Sequence, residues 1–262
     1  MNDAGVKSRL LLQHILKKTH AYIIANGNEN INDEYKKHFL VGIKKIIKGV
    51  PIQYITNEQE FMKLNFYVDE NVLIPQPDTE ILVERIIKDY LDKQVKILDL
   101  CTGSGAIGIS LAKYIKECEV TLTDISSKAL QIAKLNAKKN LQHKKIKFIE
   151  SDMFSKITNE KYDIIVSNPP YIKTAVIGNL EKNVQAEPFI ALDGGQDGLK
   201  FYKIIAENAA DFLKENGRIY LEIGYDQKDE VSEIINKTFL YKDCECIKDL
   251  SGNDRVIIAK KR

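Results

Sequence analysis

Apolar positions recur at three-and-four spacing through the first fifty residues, and this spacing predicts helices. Over residues 6–25, Leu12, Ile15, Leu16, Thr19 and Ile23 fall on one face of an amphipathic helix that Asn26-Gly27-Asn28 breaks. Asn32-Asp33 starts a second helix to about residue 48, with Phe39, Leu40, Ile43, Ile46 and Ile47 as its apolar face and Gly49 and Pro51 as its stop. Two short helices cannot bury a core of their own, so this segment must form a small bundle or lean on the remainder of the chain. Residues 52–74 change character. Tyr54, Phe61, Leu64, Phe66, Val68, Val72 and Ile74 predict short extended segments, with a hairpin turning at Asp69-Glu70-Asn71. Pro75 and Pro77 mark a boundary. Asp78 or Thr79 then caps a helix to about residue 90, with Glu80 in its positive first turn.

From residue 93 the pattern alternates strand and helix. Strands are expected at 95–100, 119–123, 146–149, 163–167, 218–223, 239–247 and 255–260, and helices at 106–115, 126–139, 198–213 and 227–235. This alternation defines an α/β fold, a Rossmann-like and mainly parallel seven-stranded sheet covered on both faces. The last two strands have only a hairpin-length connection, Leu250-Ser251-Gly252-Asn253-Asp254, between them. An antiparallel edge strand is therefore expected.

Charge and composition narrow the chemistry. The 262 residues carry 39 Lys+Arg against 37 Asp+Glu, a net charge of +2. Residues 1–70 hold ten basic and eight acidic residues, and 71–262 hold 29 of each, so the larger part is balanced. Only five of the basic residues are Arg, which disfavours duplex reading, and no direct nucleic-acid contact is expected. Lys36, Lys37, Lys44, Lys45 and Lys48 form either a docking patch or a solvated helix face. Cys101, Cys118, Cys244 and Cys246 contain no C-x-x-C pair, so neither a metal site nor a disulfide framework is expected. The four His (His14, His20, His38, His143) lie mostly in the first forty residues, away from the glycine-rich and proline-rich loops of the alternating part. The polar start is no signal peptide and no apolar run spans a membrane, so a cytoplasmic monomer without membrane contact is expected.

The first strand of the alternating part runs into Asp99-Leu-Cys101-Thr102-Gly103-Ser104-Gly105-Ala-Ile-Gly108, and a helix follows. Gly103, Gly105 and Gly108 satisfy G-x-G-x-x-G, and Asp124 ends the next strand, where a ribose-binding carboxylate belongs. A Cβ at Gly103 or Gly105 would obstruct the turn and hold a ligand off the backbone. The constellation fits a nicotinamide dehydrogenase or a methyltransferase using S-adenosylmethionine. Asp99 favours the second, because a carboxylate at the loop mouth repels pyrophosphate and suits an ammonium and a sulfonium. Ser151-Asp152-Met153-Phe154 follows the third strand. Asp152 can accept from an adenine amine there, with Met153 or Phe154 on the ring.

Asn168-Pro169-Pro170-Tyr171 follows the fourth strand. Asn/Asp-Pro-Pro-Tyr/Phe is the loop of methyltransferases acting on planar nitrogens, amides and the exocyclic amines of bases. Such a nitrogen has a delocalised lone pair and must be held facing the methyl. The Asn168 side-chain oxygen and the Pro169 carbonyl can accept its two N–H groups. The prolines preset those carbonyls, and Tyr171 offers a flat face. No dedicated general base is visible, and none is required, since a methylated amide nitrogen is acidic.

With these residues in hand the chain resembles the bacterial release-factor glutamine methyltransferases, the HemK/PrmC family, over nearly its whole length. The resemblance rests on Pro51-Ile-Gln-Tyr-Ile55, Glu60-Phe61, Val72-Leu-Ile-Pro-Gln-Pro-Asp-Thr-Glu80 and Asn168–Tyr171. It continues through Glu187-Pro188, Ala191-Leu192, Gly194-Gly195, Asp197-Gly198-Leu199, Leu221-Glu222-Ile223-Gly224 and Asp249-Leu-Ser-Gly-Asn-Asp-Arg-Val256. It implies an N-terminal helical domain (1–50), a hairpin linker (51–77) and an S-adenosylmethionine-dependent methyltransferase domain (78–262). It implies methylation of the glutamine amide in the Gly-Gly-Gln loop of peptide chain release factors, its protein partners. Cys101–Gly105, Asp124, Met153 and Asn168 would line the cofactor site, and Asn168–Tyr171 would hold the glutamine. Gln76 stands where the family usually has Arg, and Asn57 and Cys101 where it often has Gly. A side chain at 101 requires its backbone to avoid positive φ. The alternatives are a base-amine methyltransferase sharing the same loop, a nicotinamide oxidoreductase, and a non-catalytic factor that keeps the fold.

Overall fold

The computed structural model describes residues 3–141, 144 and 146–262, so His143 lies outside the described residues. The chain opens with α1 (Asp3–Leu16) and α2 (His20–Ala25), two helices where one was expected over 6–25. Lys17 takes a left-handed φ of 51° and Thr19 caps the restart by accepting from Tyr22 N, so a strong local N-cap overrides the continuous apolar stripe. In α3 (Asp33–Ile47) Asn32 caps as expected, its Oδ1 accepting from Tyr35 N at 2.9 Å. α1 packs on α3 through buried Leu11, and a Cβ at Gly42 would meet Leu11 Cδ2 at 2.7 Å. Of the expected apolar face of α3, Phe39, Ile43 and Ile46 are half-buried, whereas Leu40 and Ile47 are exposed.

Next comes α4 (Ile52–Thr56), ended by Asn57 at φ 56°. Asn tolerates this position where the family often has Gly, and its Nδ2 donates to Val68 O at 3.0 Å. The hairpin follows as β1 (Gln59–Phe61) and β2 (Leu64–Phe66), turning at Met62-Lys63, both at positive φ. The turn is therefore not at 69–71. There Asp69 Oδ1 accepts from Asn71 N in a local Asx turn that pairs no strands. Phe61 and Phe66 meet edge to face and enter the main core. Pro77 stands at the start of α5 (Pro77–Tyr90), and Gln76, not Asp78 or Thr79, occupies the cap position.

The alternating part runs β3 (Val95–Leu100), α6 (Ala106–Tyr114), β4 (Cys118–Asp124), α7 (Ser127–Asn140), β5 (Ile146–Glu150) and β6 (Tyr162–Ser167). Three short helices follow, α8 (Thr174–Ile177), α9 (Lys182–Gln185) and α10 (Phe189–Leu192), and then α11 (Lys200–Asn208), β7 (Leu213–Glu222), α12 (Lys228–Lys237), β8 (Tyr241–Lys248) and β9 (Asp254–Lys261). The helix expected over 198–213 is shorter, because Gly198 sits at φ 75° and residues 209–212 tighten into a 3₁₀ turn. The sheet order is β5-β4-β3-β6-β7-β9-β8, parallel from β5 to β7. β9 is the reversed strand and inserts between β7 and the edge strand β8.

Alternation along each strand divides the core between the two faces. Ile97 of β3 packs under α5, α6 and α7, while Leu98 and Leu100 face α11 and α12. Each such fully buried Ile or Leu contributes roughly 1.5–3 kcal/mol. Among the described residues no helix is long and apolar enough to cross a membrane.

Candidate active site

The loops leaving the carboxyl ends of β3, β4, β5 and β6 converge on one cavity of about 180 Å³, as expected where an open α/β sheet reverses its strand order. Its wall takes Cys101 and Gly103 after β3, Asp124 at the end of β4 and Ser126 beyond it, Asp152 and Met153 after β5, and Asn168 and Pro170 after β6. Val72 and Leu73 ahead of α5, Ile190 of α10 and Phe201 of α11 close it with apolar surface. Thr102, Ser104, Gly105, Asp99, Pro169 and Tyr171 do not line it.

Alternate residues of the glycine loop are left-handed. Cys101, Gly103 and Gly105 have φ of 56°, 53° and 83°. The expectation that Cys101 avoids positive φ is thus corrected. The loop must reverse as it leaves β3, so that Thr102 N reaches Thr123 O at 2.9 Å. An L-residue in this conformation costs roughly 1–2 kcal/mol. The Cys101 side chain packs against the core under α11, its Sγ 3.7 Å from Met153 Sδ, and burial pushes its thiol far above the usual range. A Cβ at Gly105 would lie 2.6 Å from Ile109 Cδ1 and 3.2 Å from Ala133 Cβ, so this glycine also lets α6 approach α7.

Asp99 lies under the loop, fully buried. Its Oδ2 accepts from Thr102 Oγ1 at 2.6 Å and from Gly108 N at 3.0 Å, while Oδ1 has no partner among the described residues. Burial pushes its pKa up to about 7 against those two hydrogen bonds. A carboxylate thus already occupies an amide of the first turn of α6, the place where a pyrophosphate would bind. An orphaned acidic oxygen fits a cationic ligand instead. Asp124 ties the loop to the next strand, with Oδ2 accepting from Gly103 N at 2.8 Å and Oδ1 from Ser126 N at 2.9 Å. Each oxygen keeps a lone pair for a ligand hydroxyl. Burial raises the Asp124 pKa against the amides of Ser126 and Gly103. Asp152 is exposed at the rim and Met153 is buried, its carbonyl accepting from Ser151 Oγ. These residues fit S-adenosylmethionine: acidic groups for its cations and ribose, and Met153 for its ring.

Asn168 stands half-buried at the end of β6. Its Nδ2 donates to Thr79 Oγ1 of α5 at 3.3 Å, which leaves Oδ1 for another donor. Tyr171 does not offer its face to the cavity. Its ring packs with the core under α11, and its hydroxyl turns to Glu222 Oε1 at 3.5 Å. The backbone around it is clamped. Gln227 Nε2 donates to Tyr171 O at 3.1 Å, and Ile172 N donates to Leu192 O at 3.0 Å. A Cβ at Gly194 would lie 2.7 Å from Tyr171 Cα, and one at Gly198 would lie 2.5 Å from Tyr171 O. Glu187 Oε2 accepts from Ile74 N at 3.0 Å and so ties the segment ahead of α5 to the start of α10. Thr79 and Glu222 are site residues that reasoning from single motifs missed. Both lie in segments that carry the family resemblance, and only the fold brings them behind Asn168.

Parallel sheet, reversed strand β9 and this cavity together define an S-adenosylmethionine-dependent methyltransferase. Residues 76–187 match the family model "Methyltransferase small domain", and residues 1–56 match "PrmC N-terminal domain". A release factor glutamine methyltransferase of Clostridium botulinum is 42% identical over 98% of this chain and 92% of its own length. One of Clostridium acetobutylicum is 43% identical over 96% and 90%. The chain belongs to the release factor glutamine methyltransferase family. A crystal structure of a methyltransferase from Pyrococcus furiosus shares the fold with a TM-score of 0.59 at 19% identity, over 88% of this chain and 99% of that one.

Proposed function

We propose that the protein methylates the side-chain amide nitrogen of the glutamine in the Gly-Gly-Gln loop of peptide chain release factors. The observation that carries this reading is the Asn168–Thr79 bond, which turns an amide acceptor outward beside a cavity suited to S-adenosylmethionine. The names of the similar clostridial proteins point the same way. When bound, S-adenosylmethionine supplies a methyl group on a sulfonium sulfur, an electrophile open to in-line displacement. Asp124 holds the ribose, and Cys101 and Gly103 meet the cofactor at the glycine loop, whose turn Asp99 braces from beneath through Thr102 and Gly108. Asp152 and Met153 take the adenine.

Asn168 Oδ1 and the Pro169 carbonyl accept the two N–H groups of the glutamine amide and hold its nitrogen in line. Fixed φ at Pro169 and Pro170, with the clamp on Tyr171, keeps these acceptors from rearranging, so little entropy is lost on binding. Residues 1–50 serve as a helical docking domain, 51–77 as a linker whose Val72 and Leu73 wall the site, and 78–262 as the catalytic domain. The reaction belongs in the cytoplasm, where release factors act. Heat protection separates this reading from a nicotinamide enzyme: S-adenosylmethionine raises the melting temperature and NAD does not. Protection by NAD alone would reject it.

A further inference from the structure

Behind Asn168 lies a buried polar group that binding and transfer do not use directly. Glu222, at the end of β7, is 1% exposed, and its Oε2 has no hydrogen-bond partner among the described residues. The Thr79 hydroxyl lies against this carboxyl and favours its charged form. Thr79 is itself buried, and its oxygen accepts from Asn168 Nδ2. An asparagine amide can present either end, and the two ends have opposite hydrogen-bonding character.

We infer that Glu222 and Thr79 are positioning residues that decide which end of the Asn168 amide faces the substrate. This inference rests on the reading of Asn168 as the amide-gripping group. An ionised Glu222 only accepts. The Thr79 proton therefore points to Glu222, the Thr79 oxygen takes the Asn168 N–H, and Oδ1 is left outward. A protonated Glu222 can donate to Thr79. The Thr79 proton is then free to turn to Asn168, which brings Oδ1 inward and sets an NH₂ group against the substrate's own N–H. The groups facing Glu222 are Thr79 and Asp78 of α5, Tyr171 of the Asn-Pro-Pro-Tyr loop, Arg255 of β9, and Tyr202 of α11, whose hydroxyl donates to the Glu222 carbonyl at 2.9 Å. Burial dominates these and pushes the carboxyl up to about 7, so the switch falls near neutral pH.

The test compares Thr79→Val, Thr79→Ser and Glu222→Gln in the full chain. With a Gly-Gly-Gln peptide, Thr79→Val and Glu222→Gln lower kcat on the order of 10–100-fold, as expected for a hydrogen bond to a charged group. Affinity for S-adenosylmethionine stays within about threefold in both, since neither residue lines its cavity. Thr79→Ser recovers most of the rate, and Glu222→Gln loses the acid limb of the kcat–pH profile. The proposal is overturned by unchanged kcat, by a parallel loss of cofactor affinity, or by failure of Thr79→Ser to recover. A second readout needs no substrate. Hydrogen exchange of the Asn168 side-chain NH₂, assigned by its loss in Asn168→Asp, is slow in the unsubstituted protein and in Thr79→Ser, and fast in Thr79→Val. Equal exchange in all three overturns the inference even if the peptide proves not to be the substrate. Slow exchange with no peptide labelling sinks only the substrate reading.

Discussion

Asp124 Oδ2 accepts the main-chain N–H of Gly103 at 2.8 Å, across 21 residues of sequence. One carboxylate therefore shapes the glycine loop and faces the cavity it forms. Replacing it removes a ligand contact and loosens the turn at once. Asp124→Ala is expected to weaken S-adenosylmethionine binding by at least about tenfold, the loss of one to two charge-assisted hydrogen bonds. Asn168→Ala is expected to slow transfer by a comparable factor while leaving cofactor affinity within about threefold. Calorimetric titration beside single-turnover kinetics separates the two. Equal loss of cofactor affinity in both variants contradicts this division of roles.

Gly194 makes a second prediction. Its missing Cβ would stand 2.7 Å from Tyr171 Cα and 2.9 Å from Pro170 O, both backbone. Gly194→Ala must therefore push the Asn-Pro-Pro-Tyr loop, at a cost of about 1–3 kcal/mol for overpacking. A melting shift with a larger fall in kcat than in cofactor affinity is expected. An alanine variant with unchanged rate would show that the loop tolerates displacement.

How far these features were legible in the sequence depends on how local their causes are. β3 lies within its expected range because six apolar-rich residues between polar flanks carry their own signal, and the turn after it is announced by its glycines. The hairpin turn was not legible. Met62 and Lys63 carry no turn chemistry, and their positive φ follows from the pairing of β1 with β2. Asp69-Glu70-Asn71 looked like a turn and is one, but only a local one. Asn168 was legible as chemistry, whereas Thr79 lies 89 residues away in sequence and reads as a helix cap until the fold brings the two together. Leu250–Asp254 was legible as a hairpin connection, whereas nothing in the sequence marked Arg255 as more than the start of the last strand and part of a family segment. In the fold Arg255 Nη2 reaches Asp249 Oδ2 at 3.1 Å and Asp78 Oδ2 at 3.2 Å, so it braces the helix that carries Thr79.

Buried carboxyls set the pH dependence of stability. Burial raises Asp99, Glu187 and Glu222 each to about 7. A carboxyl with a raised folded pKa binds its proton more tightly folded than unfolded, so stability falls as pH rises from the unfolded value near 4 to about 7. His14, lowered by burial and by Lys17, acts in the opposite sense, and one such group is outweighed by these three together with Asp124, which burial also raises. Glu160 and Asp197 are lowered by their hydrogen bonds to Lys147 and Lys203, and they act below this window. The ligand-free protein should therefore lose a few kcal/mol between pH 5 and about 7.5. Glu187→Gln, which keeps an acceptor for Ile74 N, should flatten the slope. Calorimetric melting across that range checks it, and a melting temperature that rises with pH would contradict it.

Transfer to a glutamine amide is tested most directly with methyl-labelled S-adenosylmethionine, a release factor and bulk RNA in one reaction. Peptide mass spectrometry then locates the label. One methyl group is expected on the glutamine of the Gly-Gly-Gln peptide, none on a factor with that glutamine replaced by alanine, and none in the RNA. Label in the RNA with an unmodified Gly-Gly-Gln peptide would refute transfer to the amide and assign the Asn-Pro-Pro-Tyr loop to a base amine.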